Sequence, residues 1–323
     1  MAEETEDPRE VTWHPRHAKS ILGHHRQQEQ FLKAFASGRP HHAWLFHGPK
    51  GIGKATTAYH LARQALGNRA ADRRWIEARA HPDLFVLERQ LNDSKPRKLK
   101  AEIAVDDARG LAGFLSRTAV GAWRVVIVDA ADDLNQESGN AILKLAEEPP
   151  DRTLMFLLSH QPGRLLRTLK SRCLRLGFEP LTDTEVTNVI NTLPLDTQPE
   201  PEAVERAVAQ AQGSPGAALS LFTSVGAKAF AQYSSLSRPK SSDLLAISSQ
   251  ISGRGVGPDE FMVFTELLLD WMAQAAARSH NPKLAEAHQV ISENARIAQG
   301  FNLDRRQAVL TQLRLVNDAL KAS

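Results

Sequence analysis

Residues 48–55 read GPKGIGKA, with glycines at 48, 51 and 53 and a lysine at 54 directly after the apolar run AWLFH (43–47). Glycines at these spacings let backbone N–H groups close on an oxyanion, and a lysine opening the helix that follows can reach the outer phosphates of a nucleotide. Gly48, Gly51, Gly53 and Lys54 are therefore candidate phosphate-binding residues. The pattern that also holds magnesium, G-x-x-x-x-G-K-[ST], ends on a hydroxyl, and here the last place is Ala55. A methyl group cannot ligate magnesium, so the loop reads as a degenerate cradle, weak or vestigial for ATP. A glycine-rich turn with no ligand is the other reading.

The segment WRVVIVDAADDLN (123–135) ends an apolar run on Asp129 and resembles the Walker B segment of ATPases with such loops. There an Asp helps hold magnesium and the next residue, usually Glu, polarises the attacking water. In this chain Ala130 and Ala131 follow, and an alanine can neither accept a proton nor orient water. Asp132 and Asp133 read more simply as caps of the next helix than as substitutes. Ser159 closes the run LMFLLS (154–159), and LKSRCLRLGF (169–178) sets Arg172 between Lys170 and Arg175. A guanidinium aimed at a γ-phosphate can stabilise the charge spreading in phosphoryl transfer, an effect of roughly 10³ to 10⁵ in rate when supplied in trans. A lone arginine is ordinarily a surface ion-pair partner; beside these motifs the catalytic reading of Arg172 is the stronger.

These residues need a scaffold. Five runs, 43–47, 84–88, 124–129, 154–159 and 174–178, are rich in Val, Leu, Ile and Phe without polar alternation, as parallel strands covered on both faces should be. Helical patterns lie between them, such as GKATTAYHLARQAL and SGNAILKLAEE, the latter closed by Pro149 and Pro150. The expected fold is α/β: a five-stranded parallel sheet over residues 16–178, a small helical domain over 179–222 and an all-helical domain over 223–323. Thr182 and Glu185 are spaced as a capping box at the start of the second part, and SRPKSSD (237–243) is a loop in the third. Residues 1–15 read as a mobile tail.

Composition bounds the partners. A formal charge of +3 on 323 residues excludes a general polycation, so any nucleic-acid contact needs a local patch. The single cysteine, Cys173, excludes an internal disulfide and a thiolate-built zinc site, and suits a reducing, cytoplasmic setting. No apolar run approaches the ~20 residues that span a bilayer, and the acidic start MAEETEDPRE is no secretory signal. His24/His25 and His41/His42 lack further ligands at metal spacing. SKPRKLKAE (94–102) could contact phosphates or a partner's acidic face, but reads more simply as a solvated basic loop.

Taken together, HHAWLFHGPKGIGKATTAYHLARQAL, HPDLFVLE, IAVDDARGL, NAILKLAEEPP and LLRTLKSRC resemble the clamp-loader branch of the AAA+ ATPases, and within it the delta-prime subunits of bacterial DNA polymerase III. The resemblance spans about residues 15–222, with NAILKLAEEPP and SRC its most specific parts. It implies a subunit of a clamp-loader ring, with gamma/tau and delta as neighbours, acting through the complex on the sliding clamp and primed-template DNA. It further implies that 223–323 joins a helical collar, that Ser159 occupies the sensor 1 position, that Arg172 completes the neighbouring subunit's ATP site, and that the helix VDDARGLAGFLSRTAV faces the central DNA, which makes Arg117 a weak candidate for a phosphate contact. Relatives often carry a four-cysteine zinc module where this chain has GNRAADRRWIEARA, so no zinc is expected. Gly216 and Ala217 stand where active subunits place the sensor 2 arginine, a third loss beside Ala55 and Ala130. The expected role is a non-hydrolysing subunit, scaffold and in-trans activator, within a nucleotidyltransferase complex and without a required cofactor. The rivals are a catalytically active gamma/tau-like ATPase using water-mediated magnesium and a DNA-binding module outside any clamp loader.

Overall fold

Runs that are apolar on both faces can be satisfied only between two helical layers, and the five of them form one parallel sheet. The computed structural model describes residues 7, 9–67, 69–92, 99–195, 198–236, 239–253, 256, 258–279, 281–301 and 304–321. The strands are β1 (Ala43–His47), β2 (Leu84–Glu88), β3 (Arg124–Asp129), β4 (Thr153–Ser159) and β5 (Leu174–Gly177), in the order β2-β3-β4-β1-β5. Register places Ala43 opposite Met155, Leu84 opposite Val125 and Val125 opposite Leu154, so that Glu88, Asp129, Ser159 and His47 all lie at the carboxyl ends of their strands. That is the end at which α/β sheets present their sites.

Helices α1 (His25–Ala36), α2 (Lys54–Leu66) and α3 (Ala70–Glu77) precede β2, and α4 (Val105–Leu115) and α5 (Gln136–Glu147) flank β3. Side chains alternate across the sheet as the strand period requires. Trp44, Phe46, Ile127, Phe156 and Leu158 pack with Phe31, Tyr59 and Leu61 on one face. Leu45, Val126, Val128, Met155 and Leu157 pack with Leu111 and Ile142 on the other. Each such fully buried side chain contributes about 1.5–3 kcal/mol.

After the one-turn α6 (Arg167–Ser171) and β5 come α7 (Asp183–Thr192), α8 (Pro201–Ala211) and α9 (Pro215–Thr223). Helix α7 opens with a capping box: the Glu185 amide donates to the Thr182 hydroxyl at 3.3 Å, and the Thr182 amide to Glu185 Oε2 at 2.9 Å. The chain divides into two compact units, Met1–Ala218 and Leu219–Ser323. The second holds α10 (Val225–Ser234), α11 (Ser241–Ile251), α12 (Pro258–Ser279), α13 (Pro282–Phe301) and α14 (Arg305–Lys321) around Ile247, Phe264, Leu268, Met272, Ile291 and Leu313.

Several expectations change. The described part of the segment read as a mobile tail is bound to the domain: Arg9 Nη1 donates to Glu88 Oε1 at 2.7 Å and to the Arg89 carbonyl at 3.0 Å, and Thr12 donates to the Pro194 carbonyl at 2.9 Å. Glu88, at the end of β2, is paired with both Arg9 and Arg79, which anchors the segment. The stretch GNRAADRRWIEARA contains α3, held by buried Ile76. The loop read over 237–243 ends earlier, because Ser241 already starts α11; residues 237 and 238 lie outside the described residues. Most of the basic run 94–102 also lies outside them.

Candidate functional site

The loop between β1 and α2 turns through Gly48, Gly51 and Gly53, and Gly51 takes φ +74°, a conformation that disfavours a side chain. Lys54 opens α2 and is 8% exposed. Its Nζ donates to the carbonyls of Gly48 at 2.8 Å and Pro49 at 2.6 Å. Burial pushes its pKa down to about 8, against the opposing pull of Asp129 and Asp132. Asp129, at the end of β3, is shifted the other way: burial raises its pKa while Lys54 opposes the rise. The two groups thus share one desolvated corner, each stabilising the charge of the other.

Other donors complete the loop. The hydroxyl of Ser214 donates to the Lys50 carbonyl at 2.9 Å, the amide of Gly216 to the Gly51 carbonyl at 2.9 Å, and Nε2 of His24 meets the Ile52 carbonyl at 2.7 Å. Every carbonyl from Gly48 to Ile52 is therefore engaged by the chain itself. The start of α9 sits directly on the loop: a Cβ on Gly216 would lie 2.7 Å from Gly51 Cα, and one on Gly51 would lie 2.7 Å from Ser214 Oγ and 3.0 Å from Gly216 Cα. The two glycines allow a backbone approach that no side chain permits. Gly216 and Ala217, which stand in place of a sensor 2 arginine, thus begin a helix packed against the phosphate loop.

At the end of β4, Ser159 is fully buried and donates to Asp132 Oδ1 at 2.6 Å. Asp132 also accepts from the His160 amide at 2.6 Å, from the Gln161 amide at 3.3 Å and from His160 Nδ1 at 2.8 Å. This corrects the cap reading of Asp132 and Asp133. Asp132 ties the turn after β3 to the end of β4, and Asp133 pairs with Arg89 at 3.0 Å. The cap of α5 is Asn135, whose side chain accepts from the Ser138 amide at 2.9 Å.

Arg172 lies apart from this cluster, at the end of α6. It is 38% exposed and pairs through Nη2 with Glu147 Oε1 at 2.6 Å, while Nη1 donates to the Thr168 carbonyl at 3.1 Å. Lys170 donates to the Pro162 carbonyl at 2.9 Å, which fastens α6 to the loop before it. Arg117 is exposed in the turn after α4, where its carbonyl, with that of Leu115, accepts from the buried Arg124. Of the paired histidines, His24, His41 and His42 each contact a backbone carbonyl, and no cluster of three or more metal-type ligands occurs among the described residues. None of the described helices is long and apolar enough to cross a membrane.

Sequence reasoning located the loop, Asp129, Ser159 and Arg172, but missed Ser214, Asp132 as a tether, Glu147 and the loop contact of His24. Only Ser214 carried a local signal, a serine preceding a proline at the first helical position. Of the groups that would hold a magnesium-bound nucleotide, Lys54 and Asp129 are present, whereas Ala55 and Ala130 offer no side-chain oxygen and Lys54 donates to loop carbonyls.

A family model described as DNA polymerase III, delta subunit, matches residues 23–182. The DNA polymerase III subunit delta-prime of Pseudomonas aeruginosa is 38% identical over 199 residues, covering 58% of each chain. That of Escherichia coli is 33% identical over 204 residues, covering 60% of this chain and 58% of the relative. The chain thus spans somewhat over half the length of these curated relatives. Among solved structures, a DNA polymerase III gamma subunit-related protein from Thermotoga maritima superposes with a TM-score of 0.53 at 17% identity, over 91% of this chain and 99% of that one, which shows a shared fold.

Proposed function

We propose that the chain, which is similar to the delta-prime subunits of DNA polymerase III, is a non-hydrolysing clamp-loader subunit that lends Arg172 to a neighbour's ATP site. In this reading it acts in the cytoplasm as a scaffold beside gamma/tau and delta subunits, and through the complex it serves the sliding clamp and primed-template DNA. Residues 223–323 supply the collar contacts. The observation that carries the reading is the state of the phosphate loop. The start of α9 lies against it with Gly216 and Ala217 in place of a sensor 2 arginine, and the side chains at 55 and 130 are methyl groups.

The chemistry then falls to Arg172. A guanidinium carries fixed charge at all relevant pH values and presents a planar fork that matches phosphate oxygens. Placed on a neighbour's γ-phosphate, it would stabilise the transition state for hydrolysis there, while this chain keeps Asp129 but has no hydroxyl at 55, no carboxylate at 130 and no sensor 2 arginine of its own. Steady-state ATP turnover by the purified chain, with magnesium and with or without primed DNA, tests the division of labour. Turnover is expected to be indistinguishable from background and unchanged by Lys54→Ala. Hydrolysis that Lys54→Ala abolishes would refute the proposal and establish a gamma/tau-like active subunit.

A further inference from the structure

Glu147 ends α5, and its carboxylate meets Arg172 of α6 at 2.6 Å. The two residues are 25 positions apart in the chain and belong to different helices, so the pair is a tertiary contact and no by-product of helical spacing. The guanidinium is held from a second side, by the Thr168 carbonyl at 3.1 Å, with a longer contact to the Ser171 hydroxyl at 3.5 Å. An arginine has five N–H donors in a rigid fork, so these contacts leave donors for a further oxyanion while the head group stays in place. The ends of that arrangement are themselves fixed. Helix α5 is anchored at its start by Asn135 and by the buried Ser138, whose hydroxyl donates to the Ile103 carbonyl at 2.7 Å. Helix α6 is anchored by Lys170 and by buried Leu169.

We propose that Glu147 is a positioning residue for Arg172: its carboxylate holds the guanidinium in the one geometry that meets the neighbouring subunit's γ-phosphate. The inference rests on the in-trans role proposed for Arg172 and adds the group that aims it. A free arginine side chain samples many rotamers, and ordering it only when the transition state forms costs entropy at the worst moment. Glu147 orders it beforehand. A half-exposed ion pair is a weak source of stability, so its removal should leave folding nearly unchanged while the orientation of the guanidinium is lost.

The test uses the reconstituted clamp-loader complex, with DNA- and clamp-stimulated ATPase measured at equal assembly by gel filtration. Glu147→Ala is expected to lower kcat about tenfold with KM for ATP within about twofold, as for an interaction made in the transition state. Glu147→Gln, which keeps the acceptor and the volume, is expected to stay within about threefold of the parent. In the Arg172→Ala background, Glu147→Ala should change kcat by less than about twofold, because the two residues act as one unit. Should Glu147→Ala fail to assemble, Glu147→Asp, which withdraws the carboxylate by one methylene, carries the same comparison, with a reduced kcat expected. An unchanged kcat in the Glu147 variants, or losses that add to that of Arg172→Ala, overturn the role of Glu147 and leave Arg172 standing. An unchanged kcat in Arg172→Ala alone overturns the in-trans reading itself, and the positioning role with it.

Discussion

Gly216→Ala is a direct probe of the contact between the start of α9 and the phosphate loop. The added methyl would lie 2.7 Å from Gly51 Cα, 3.0 Å from Gly51 O and 3.3 Å from Gly51 C, all of them backbone atoms that cannot swing aside. Relieving the overlap requires several tenths of an ångström of main-chain movement, and overpacking of this kind costs about 1–3 kcal/mol. The same movement stretches the 2.9 Å hydrogen bond from the Gly216 amide to the Gly51 carbonyl, adding up to about 1 kcal/mol. Against this, alanine favours helix over glycine by up to about 1 kcal/mol, and by less at the second residue of α9. The balance is a destabilisation of about 1–3 kcal/mol. Gly113→Ala serves as the control: it lies within α4 with nothing within 4 Å of the new Cβ, so only the propensity gain of about 0.5–1 kcal/mol remains. Equilibrium urea denaturation reads both. The midpoint should fall for Gly216→Ala and rise for Gly113→Ala; a Gly216→Ala midpoint at or above the parent's would refute the close backbone contact.

Three further outcomes follow from the same structure. Asp132→Ala should cost about 3 kcal/mol in denaturant, since it strips the partner from the buried Ser159 hydroxyl and from the His160 amide; a loss below about 1 kcal/mol would contradict the tether. Thr182→Ala should cost about 1 kcal/mol, the usual value of a helix amino-terminal cap, and restoring Ser at 182 should recover it. Acid should destabilise the fold. Burial lowers the pKa of His14 from 6.5 to about 3, so between these values the unfolded chain binds a proton that the folded chain refuses. Stability is then complete above about pH 6.5 and falls with decreasing pH, by up to about 1.4 kcal/mol per pH unit from this residue. Burial shifts His17, His24, His42, His47, His60 and His81 in the same direction. His14→Gln should flatten the dependence of the urea midpoint on pH between 7 and 5; an unaltered slope would exclude a buried neutral His14.

Much of the nucleotide-fold unit was legible because burial on both faces leaves an unmistakable trace. AWLFH, RVVIVD and LMFLLS contain almost nothing polar, and each is a strand with bounds within one residue of the reading. The phosphate loop was legible because backbone function needs glycine, and glycine is visible. What was hidden depends on neighbours that only the sheet order creates. Asp132 looked like a cap because local sequence suggests local partners, whereas its partners Ser159 and His160 become adjacent only when β4 pairs with β3. Glu147 was one carboxylate of an exposed helix end until α6 brought Arg172 to it. The binding of Arg9 to Glu88 was invisible in an acidic, proline-bearing terminus that satisfies every compositional criterion of a tail.

Strand β5 ends the sheet, and the end of a sheet is a place where chains can stick together. It is four residues long, pairs with β1, and exposes Leu174 and Arg175, with Lys170 and Arg172 just before it. On its far side the Gly177 carbonyl is taken by Gln27 Nε2 at 2.6 Å. Long, flat, apolar edges recruit further strands, whereas short cationic ones repel them. A short edge that carries the exposed Arg175 therefore also disfavours the addition of a further strand, independently of anything that happens to a nucleotide.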